Sequence, residues 1–446
     1  MSPATPTNSG RWWAAHALLP SGPADAVTVE VTDGRFTAIT AGTEPGDAER
    51  LPGVALPGLA NAHSHAFHRA LRGRTHDRDG TFWTWRDRMY AVARRLDPDT
   101  YLALARATYA EMALAGISCV GEFHYVHHQP GGTPYDEPNA MGEALRQAAR
   151  EAGIRLTLLD TCYLAGGLSA DGHAPLSDDQ QRFGDGDAAG WAERVGRLRD
   201  DATTRVGAAI HSVRAVPRDQ LATVRKADDG RPLHVHLSEQ PAENEACQAF
   251  YGLTPTALLE AEGVLGPRTT AVHATHLTDA DIAALGASGT TACFCPTTER
   301  DLADGIGPAR KLLDAGAPLS LGSDQHAVID LIEEARAIEM HERLDTLQRG
   351  RFQPPELLAA ATGHACLGWD DAGRLEVGAR ADLVALRLDS PRTAGSAPEQ
   401  VLLAATAADV DTVVVDGRTV VTGGRHVLGD VGALLTDAID PLWEDQ

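Results

Sequence analysis

The sequence predicts an α/β protein: a (β/α)8 barrel of the TIM type with a small flanking β-domain built from both chain ends. Three observations carry that prediction. Eight short apolar runs each end in polar residues, and helix-like segments lie between them. The two chain ends instead hold strand-like runs joined by turn residues. The length, 446 residues, exceeds what one ordinary core accommodates and suits a large barrel with additions.

The eight runs lie at 54–62, 116–122, 155–162, 205–211, 232–237, 269–274, 290–295 and 318–322. Between them, 99–115 places Leu102, Ala105, Tyr109 and Met112 at helical spacing after an Asp97-Pro98-Asp99 start. Segments 141–152 and 242–262 read as helices in the same way. Strands alternating with helices imply parallel β/α units, and eight of them close a barrel. An open doubly wound sheet is the competing arrangement. At the N-terminal end, runs 26–31 and 36–39 flank Asp33-Gly34, a hairpin signal. At the C-terminal end, 382–388 and 410–415 precede Asp416-Gly417 and 419–421. Both ends lack helix-like spacers, so they are expected to pair into one β-domain. The expected division is 1–53 and 375–446 for that domain and 54–374 for the barrel.

Composition narrows the function. With 62 acidic against 39 basic residues the net charge is −23. Binding nucleic acid requires clustered Lys and Arg, and an anionic membrane surface attracts the same residues, so neither is an expected partner. Hydrophobic residues at 43% and charged residues at 23% match a soluble globular protein. Six scattered cysteines without a C-x-x-C pair suit reduced thiols and a cytoplasmic location. Residues 1–10 are polar and precede no apolar leader segment, and no apolar run reaches transmembrane length.

The densest chemical signal is Asn61-Ala62-His63-Ser64-His65. Residues i and i+2 of a strand share a face, so His63 and His65 are expected to point into one space. That space lies at the C-terminal end of the first barrel strand, where barrel enzymes build their sites. Leu233-His234-Val235-His236 with Glu239, Val272-His273 with His276, and Gly322-Ser323-Asp324 end three further strands. A lone buried histidine is usually a satisfied core residue. Histidine or aspartate at four separate strand ends points instead to a divalent ion.

These pieces together resemble the amidohydrolase superfamily, and His236 followed by Glu239 is similar to its deaminase branch. The resemblance implies one divalent ion, Zn2+ or Fe2+, held by His63, His65, His236 and Asp324. It places His273 beside the ion as an electrophile. Binuclear relatives bridge two metals with a carboxylated barrel lysine. Lys226 and Lys311 are the only lysines, both in helix-like segments, and the fourth strand ends in His211, so one ion is expected unless a carboxylate replaces the bridge. Asp324 would accept or orient a proton, Glu239 would carry a proton to a departing nitrogen, and His273 would stabilise charge on the attacked centre.

The rim segments carry Arg86, Tyr125, His211 and Arg214, whose chemistry suits anions; arginine forks suit carboxylates in particular. A small-molecule dicarboxylate is the expected substrate class. Ala62-His63-Ser64-His65-Ala66-Phe67, Phe82-Trp83-Thr84-Trp85-Arg86, Gly121-Glu122-Phe123-His124-Tyr125 and Cys295-Pro296-Thr297-Thr298-Glu299 resemble the formimidoylglutamate deiminase family. That resemblance implies hydrolysis of N-formimidoyl-L-glutamate to N-formyl-L-glutamate and ammonia in histidine degradation, by a homodimer. Arg86, Tyr125, His211 and Arg214 would hold the carboxylates. His68 stands where that family often has Gln and remains within reach of the formimidoyl group. A deaminase of a nucleobase or other aminated heterocycle is the competing reading, and a metal-free scaffold is the remote one.

Overall fold

The computed structural model describes residues 8–75, 82–227 and 230–444, the side chains of residues 82–84 excepted. The polar start, residues 1–7, and the side chains of Phe82, Trp83 and Thr84 in the rim motif therefore lie outside the described residues.

Eight parallel strands run in chain order around the barrel: Leu59–Ser64, Ile117–His124, Arg155–Cys162, Thr204–Ile210, Leu233–Leu237, Thr269–His273, Thr291–Phe294 and Leu319–Leu321. Their residues are almost all buried, as expected for strands covered by helices outside and filled by side chains inside. The eighth strand meets the first through a single parallel bridge, Ser64 to Asp324, which nearly closes the barrel.

The second sheet is mixed and takes strands from both ends. Its order is Arg425–His426, Arg418–Thr422, Val410–Val415, Leu383–Leu386, Glu49–Pro57, Gly10–Leu19, Gly22–Thr32 and Arg35–Thr40. Both Asp-Gly pairs make the tight turns their residues favour. Asp33 and Gly34 have φ of 51° and 76°, and Asp416 and Gly417 have 48° and 74°.

Three expectations need correction. The apolar run 54–62 is two strands, since Glu49–Pro57 belongs to the mixed sheet and the barrel strand starts at Leu59. Gly58 separates them; a Cβ there would lie 2.4 Å from the Ser118 hydroxyl oxygen. The expected single helix 242–262 is two, Pro241–Tyr251 and Pro255–Ala261. Gly252 ends the first in a left-handed cap at φ 70°, and Thr254 caps the second ahead of Pro255. The C-terminal end also holds a helix, Val431–Ile439, which buries Val431, Leu435 and Ile439 and packs on barrel helix Pro98–Leu114. Their i, i+4, i+8 spacing follows an Asp430 cap and is helical. Helix Pro98–Leu114 itself begins with a reciprocal Asp97–Thr100 capping box, as its Asp-Pro-Asp start anticipates.

Candidate metal centre and substrate cavity

Four strand ends converge at one mouth of the barrel. His63 Nε2 lies 3.3 Å and His65 Nε2 3.4 Å from the same Asp324 oxygen. His236 Nε2 lies 3.1 Å from His63 Nε2. His273 Nε2 is 3.9 Å from the other Asp324 oxygen and 3.8 Å from Glu239. The expected i, i+2 pairing of His63 and His65 is realised, because the chain continues extended past Ser64. Two other histidines that the sequence placed at strand ends do other work. His234 donates from Nε2 to the Cys366 carbonyl at 3.0 Å, and His276 donates to the Asp304 carbonyl at 2.7 Å.

The donor atoms suit a cation. His65 Nδ1 bonds the Phe123 carbonyl at 2.8 Å, and His236 Nδ1 bonds the His211 carbonyl at 2.8 Å. A carbonyl only accepts, so each Nδ1 carries the proton and each Nε2 turns a lone pair inward. Two triads, His63-His65-Asp324 and His63-His236-His273, have their ligand atoms within 4.8 Å of one another. A divalent ion reconciles these inward lone pairs and the carboxylate.

Electrostatics agree. Burial lowers the His63 imidazole to about 3, against the pull of Asp324, and lowers His65 and His236 as well. The histidines are thus in the neutral form that binds metals. Burial opposes ionisation of Asp324, but its hydrogen bond with His63 and the charge on His273 hold its carboxyl well below the usual range. Burial likewise opposes charge on His273, but Glu239, Glu299 and Asp324 raise it well above its ordinary value. His273 and Asp324 also hold positive φ, 69° and 42°, a conformation uncommon outside glycine and concentrated at functional sites.

Beside the centre lies a cavity of about 440 Å³. Its lining brings together Arg86, Tyr125, His211, Arg214 and His68, with His65, His236, Glu239, His273 and Asp324 at its floor. Arg86 comes from helix Phe82–Arg94, Tyr125 follows the second strand, and His211 and Arg214 follow the fourth. His68 Nε2 meets the Tyr125 hydroxyl at 3.0 Å. Burial, then Arg214, keep the His211 imidazole well below its usual pKa, so it acts as a neutral hydrogen-bonding group. Arg214 lies 3.3 Å from Glu239 and 3.6 Å from Glu243, so a bound carboxylate would share this guanidinium with two acids.

Three residues here had no role assigned from the sequence. Tyr163, one residue past the third strand, lines the cavity, and Gln180 donates to its hydroxyl at 2.9 Å. Its position one step beyond run 155–162 was the available signal. Glu299 stands 3.5 Å behind His273 Nδ1 and accepts from the Cys295 amide at 2.8 Å. Glu243 is the third. Its position one turn past Glu239 was visible, but its contact with Arg214 depends on the bend at Ser238, where φ is 51°.

Both lysines sit on outer helices, Lys226 in Arg218–Ala227 and Lys311 in Ala309–Ala315. No barrel strand carries one.

Comparison with known proteins places this architecture. Residues 54–420 match the model of the amidohydrolase family. The formimidoylglutamate deiminase of Pseudomonas aeruginosa is 39% identical over 435 residues, covering 93% of this chain and 95% of that one. The 8-oxoguanine deaminase of the same organism is 32% identical, covering 91% and 92%. Among solved structures, an amidohydrolase from Brucella melitensis superposes with a TM-score of 0.89 at 32% identity, over 97% of this chain and 99% of that one. The match spans the barrel and reaches into the strands of the flanking sheet, so the chain belongs to the amidohydrolase family.

Proposed function

We propose that the enzyme hydrolyses N-formimidoyl-L-glutamate to N-formyl-L-glutamate and ammonia. The observation that carries this reading is the cavity in which Arg86 and Arg214 lie beside the candidate metal centre, in a chain of net charge −23. Each arginine offers a fork of donors that suits a carboxylate, and glutamate brings two. The 39% identity to a formimidoylglutamate deiminase across nearly the whole chain supports the same substrate.

His63, His65, His236 and Asp324 would hold one divalent ion, zinc or iron. When bound, the ion supplies Lewis acidity that brings the pKa of water toward neutrality. The absence of a barrel lysine supports one ion rather than a lysine-bridged pair. Arg86 and Arg214 bind the carboxylates, with Tyr125 and His211 as uncharged donors alongside. His68 packs against Tyr125 at the formimidoyl end. The water oxygen bonds to the formimidoyl carbon, and the bond from that carbon to the terminal nitrogen breaks. Asp324 takes one proton from water, the second leaves the new hydroxyl as its oxygen becomes the formyl carbonyl, and both end on the terminal nitrogen. Glu239, 3.8 Å from His273, delivers a proton to the nitrogen that leaves as ammonia. His273 donates toward the attacked centre and stabilises the charge that builds there.

The test is ammonia release from N-formimidoyl-L-glutamate beside 8-oxoguanine, guanine and cytosine. Turnover of the formimidoyl compound alone supports the proposal. Turnover of a purine or pyrimidine without it transfers the reading to a heterocycle deaminase.

A further inference from the structure

Ser64 lies between the two histidines of the first strand, yet its side chain faces away from the candidate centre. Its hydroxyl donates to Glu122 Oε2 at 2.7 Å and meets His326 Nε2 at 3.2 Å. Glu122 Oε1 accepts the Ala66 amide at 2.7 Å, so one carboxylate grips the chain on both sides of His65. On the other side, His326 Nδ1 meets the Ser323 hydroxyl at 2.9 Å, and Asn61 Nδ2 donates to that hydroxyl at 2.7 Å. Asn61, Ser64, Glu122, Ser323 and His326 are each 0% exposed.

With the Glu122 carboxyl ionised, which burial pushes up to about 7, the protons in this chain have one consistent arrangement. Ser64 has a single hydrogen and gives it to Glu122, so His326 Nε2–H donates to Ser64. His326 Nδ1 then accepts from Ser323, whose oxygen accepts from Asn61. Every link is a donor facing an acceptor, and the series ends on a carboxylate.

The location gives it a purpose. At this point the backbone ladder is weakest. Pairing of the first and second strands shifts register between Asn61 and Ser64, and pairing with the eighth strand is the single Ser64–Asp324 bridge. Three backbone bonds accompany that bridge: Ser323 and Asp324 amides to the His63 carbonyl at 3.1 and 3.0 Å, and the His65 amide to the Asp324 carbonyl at 3.1 Å. Three of the four ligand positions, His63, His65 and Asp324, therefore hang on a seam that the sheet itself hardly holds.

We propose that Ser64, Glu122 and His326 are positioning residues that hold the seam of the barrel and thereby set the spacing of the metal ligands. The inference rests on the metal reading above. A rotation of the backbone at Ser64 would move both imidazoles at once, and the side-chain series prevents it.

The experiment measures zinc affinity by chelator competition on metal-stripped wild type, Ser64→Ala, Glu122→Gln and Thr157→Val, with the melting temperature of each stripped form. Thr157 is buried elsewhere in the barrel, bonding the Leu367 carbonyl and the Trp369 indole. Ser64→Ala is expected to raise the zinc dissociation constant by roughly tenfold, the low end for groups that orient metal ligands. Glu122→Gln keeps an oxygen for the Ala66 amide and should lie between Ser64→Ala and wild type. Thr157→Val should melt lower with unchanged zinc affinity. Wild-type affinity in Ser64→Ala and Glu122→Gln overturns the positioning role, and so does an equal loss in Thr157→Val. A wild type that takes up neither zinc nor Fe2+ overturns the metal reading itself, a different failure from the other two.

Discussion

Glu239 faces Arg214 at 3.3 Å on one side and His273 at 3.8 Å on the other. That position suits a proton carrier, since both neighbours hold the carboxylate in place. Glu239→Gln preserves size and the capacity to accept from Arg214 but cannot carry the proton. It is expected to lower kcat by about 10²–10⁴-fold while metal content, read by atomic absorption, stays the same. Arg214→Met removes a charged donor from the proposed carboxylate end. It is expected to raise KM for formimidoylglutamate roughly tenfold or more, the effect of losing one charge-assisted hydrogen bond, with metal content intact. Unchanged kinetics would remove Arg214 from the carboxylate site. Residues of this kind can be nominated from sequence because their chemistry is local. Paired histidines at a strand end are visible in five consecutive letters. Tyr163, Glu243 and Glu299 were not, because a tyrosine or glutamate near a strand end is ordinary until the fold brings it to Arg214 or His273.

The link between barrel and mixed sheet is a buried ion cluster rather than an apolar face alone. Arg155, on the third barrel strand, bonds Asp382 at 2.9 Å and Asp416 at 3.1 Å. The indole of Trp369 lies against Arg155, Arg205 and Arg380, at 5.1, 4.1 and 4.8 Å from ring centre to guanidinium carbon. Asp382→Asn removes one of the two acids that Arg155 bonds, leaving Asp416, and is expected to destabilise the fold by about 3 kcal/mol in urea unfolding, the low end for breaking a buried ion pair. A pH dependence follows with the same sign. Burial works against ionisation of Asp382, but Arg155 and His364 hold its carboxyl below the usual range. Its contribution is therefore complete above the unfolded carboxylate value, about 4, and is lost as pH falls through the lower folded value. Melting curves of wild type should fall below pH 4 more steeply than those of Asp382→Asn. At this scale the sequence was readable wherever punctuation was strong, as at Asp33-Gly34 and Asp416-Gly417. It misled where an apolar run continued across a change of sheet. Hydrophobic periodicity in 54–62 records burial, and burial is the same on either side of Gly58.

The whole molecule joins a rigid scaffold to a site assembled from residues far apart in sequence, from His63 to Asp324. The barrel was legible because eight repeats of one pattern reinforce each other. The near-closure at the seam was not, since it depends on side chains meeting across 262 positions, as Asn61 and Ser323 do. A metal bound only by the folded state stabilises that state, so chelation is expected to lower the melting temperature and zinc to restore it. Among the described residues no helix is long and apolar enough to cross a membrane. The most direct test of the central claim is product identification by NMR, with the metal-loaded enzyme and N-formimidoyl-L-glutamate labelled with 13C at the formimidoyl carbon. The label is expected in N-formyl-L-glutamate, with one ammonia released per molecule converted. Unchanged substrate, or label leaving as formamide with free glutamate, would contradict it.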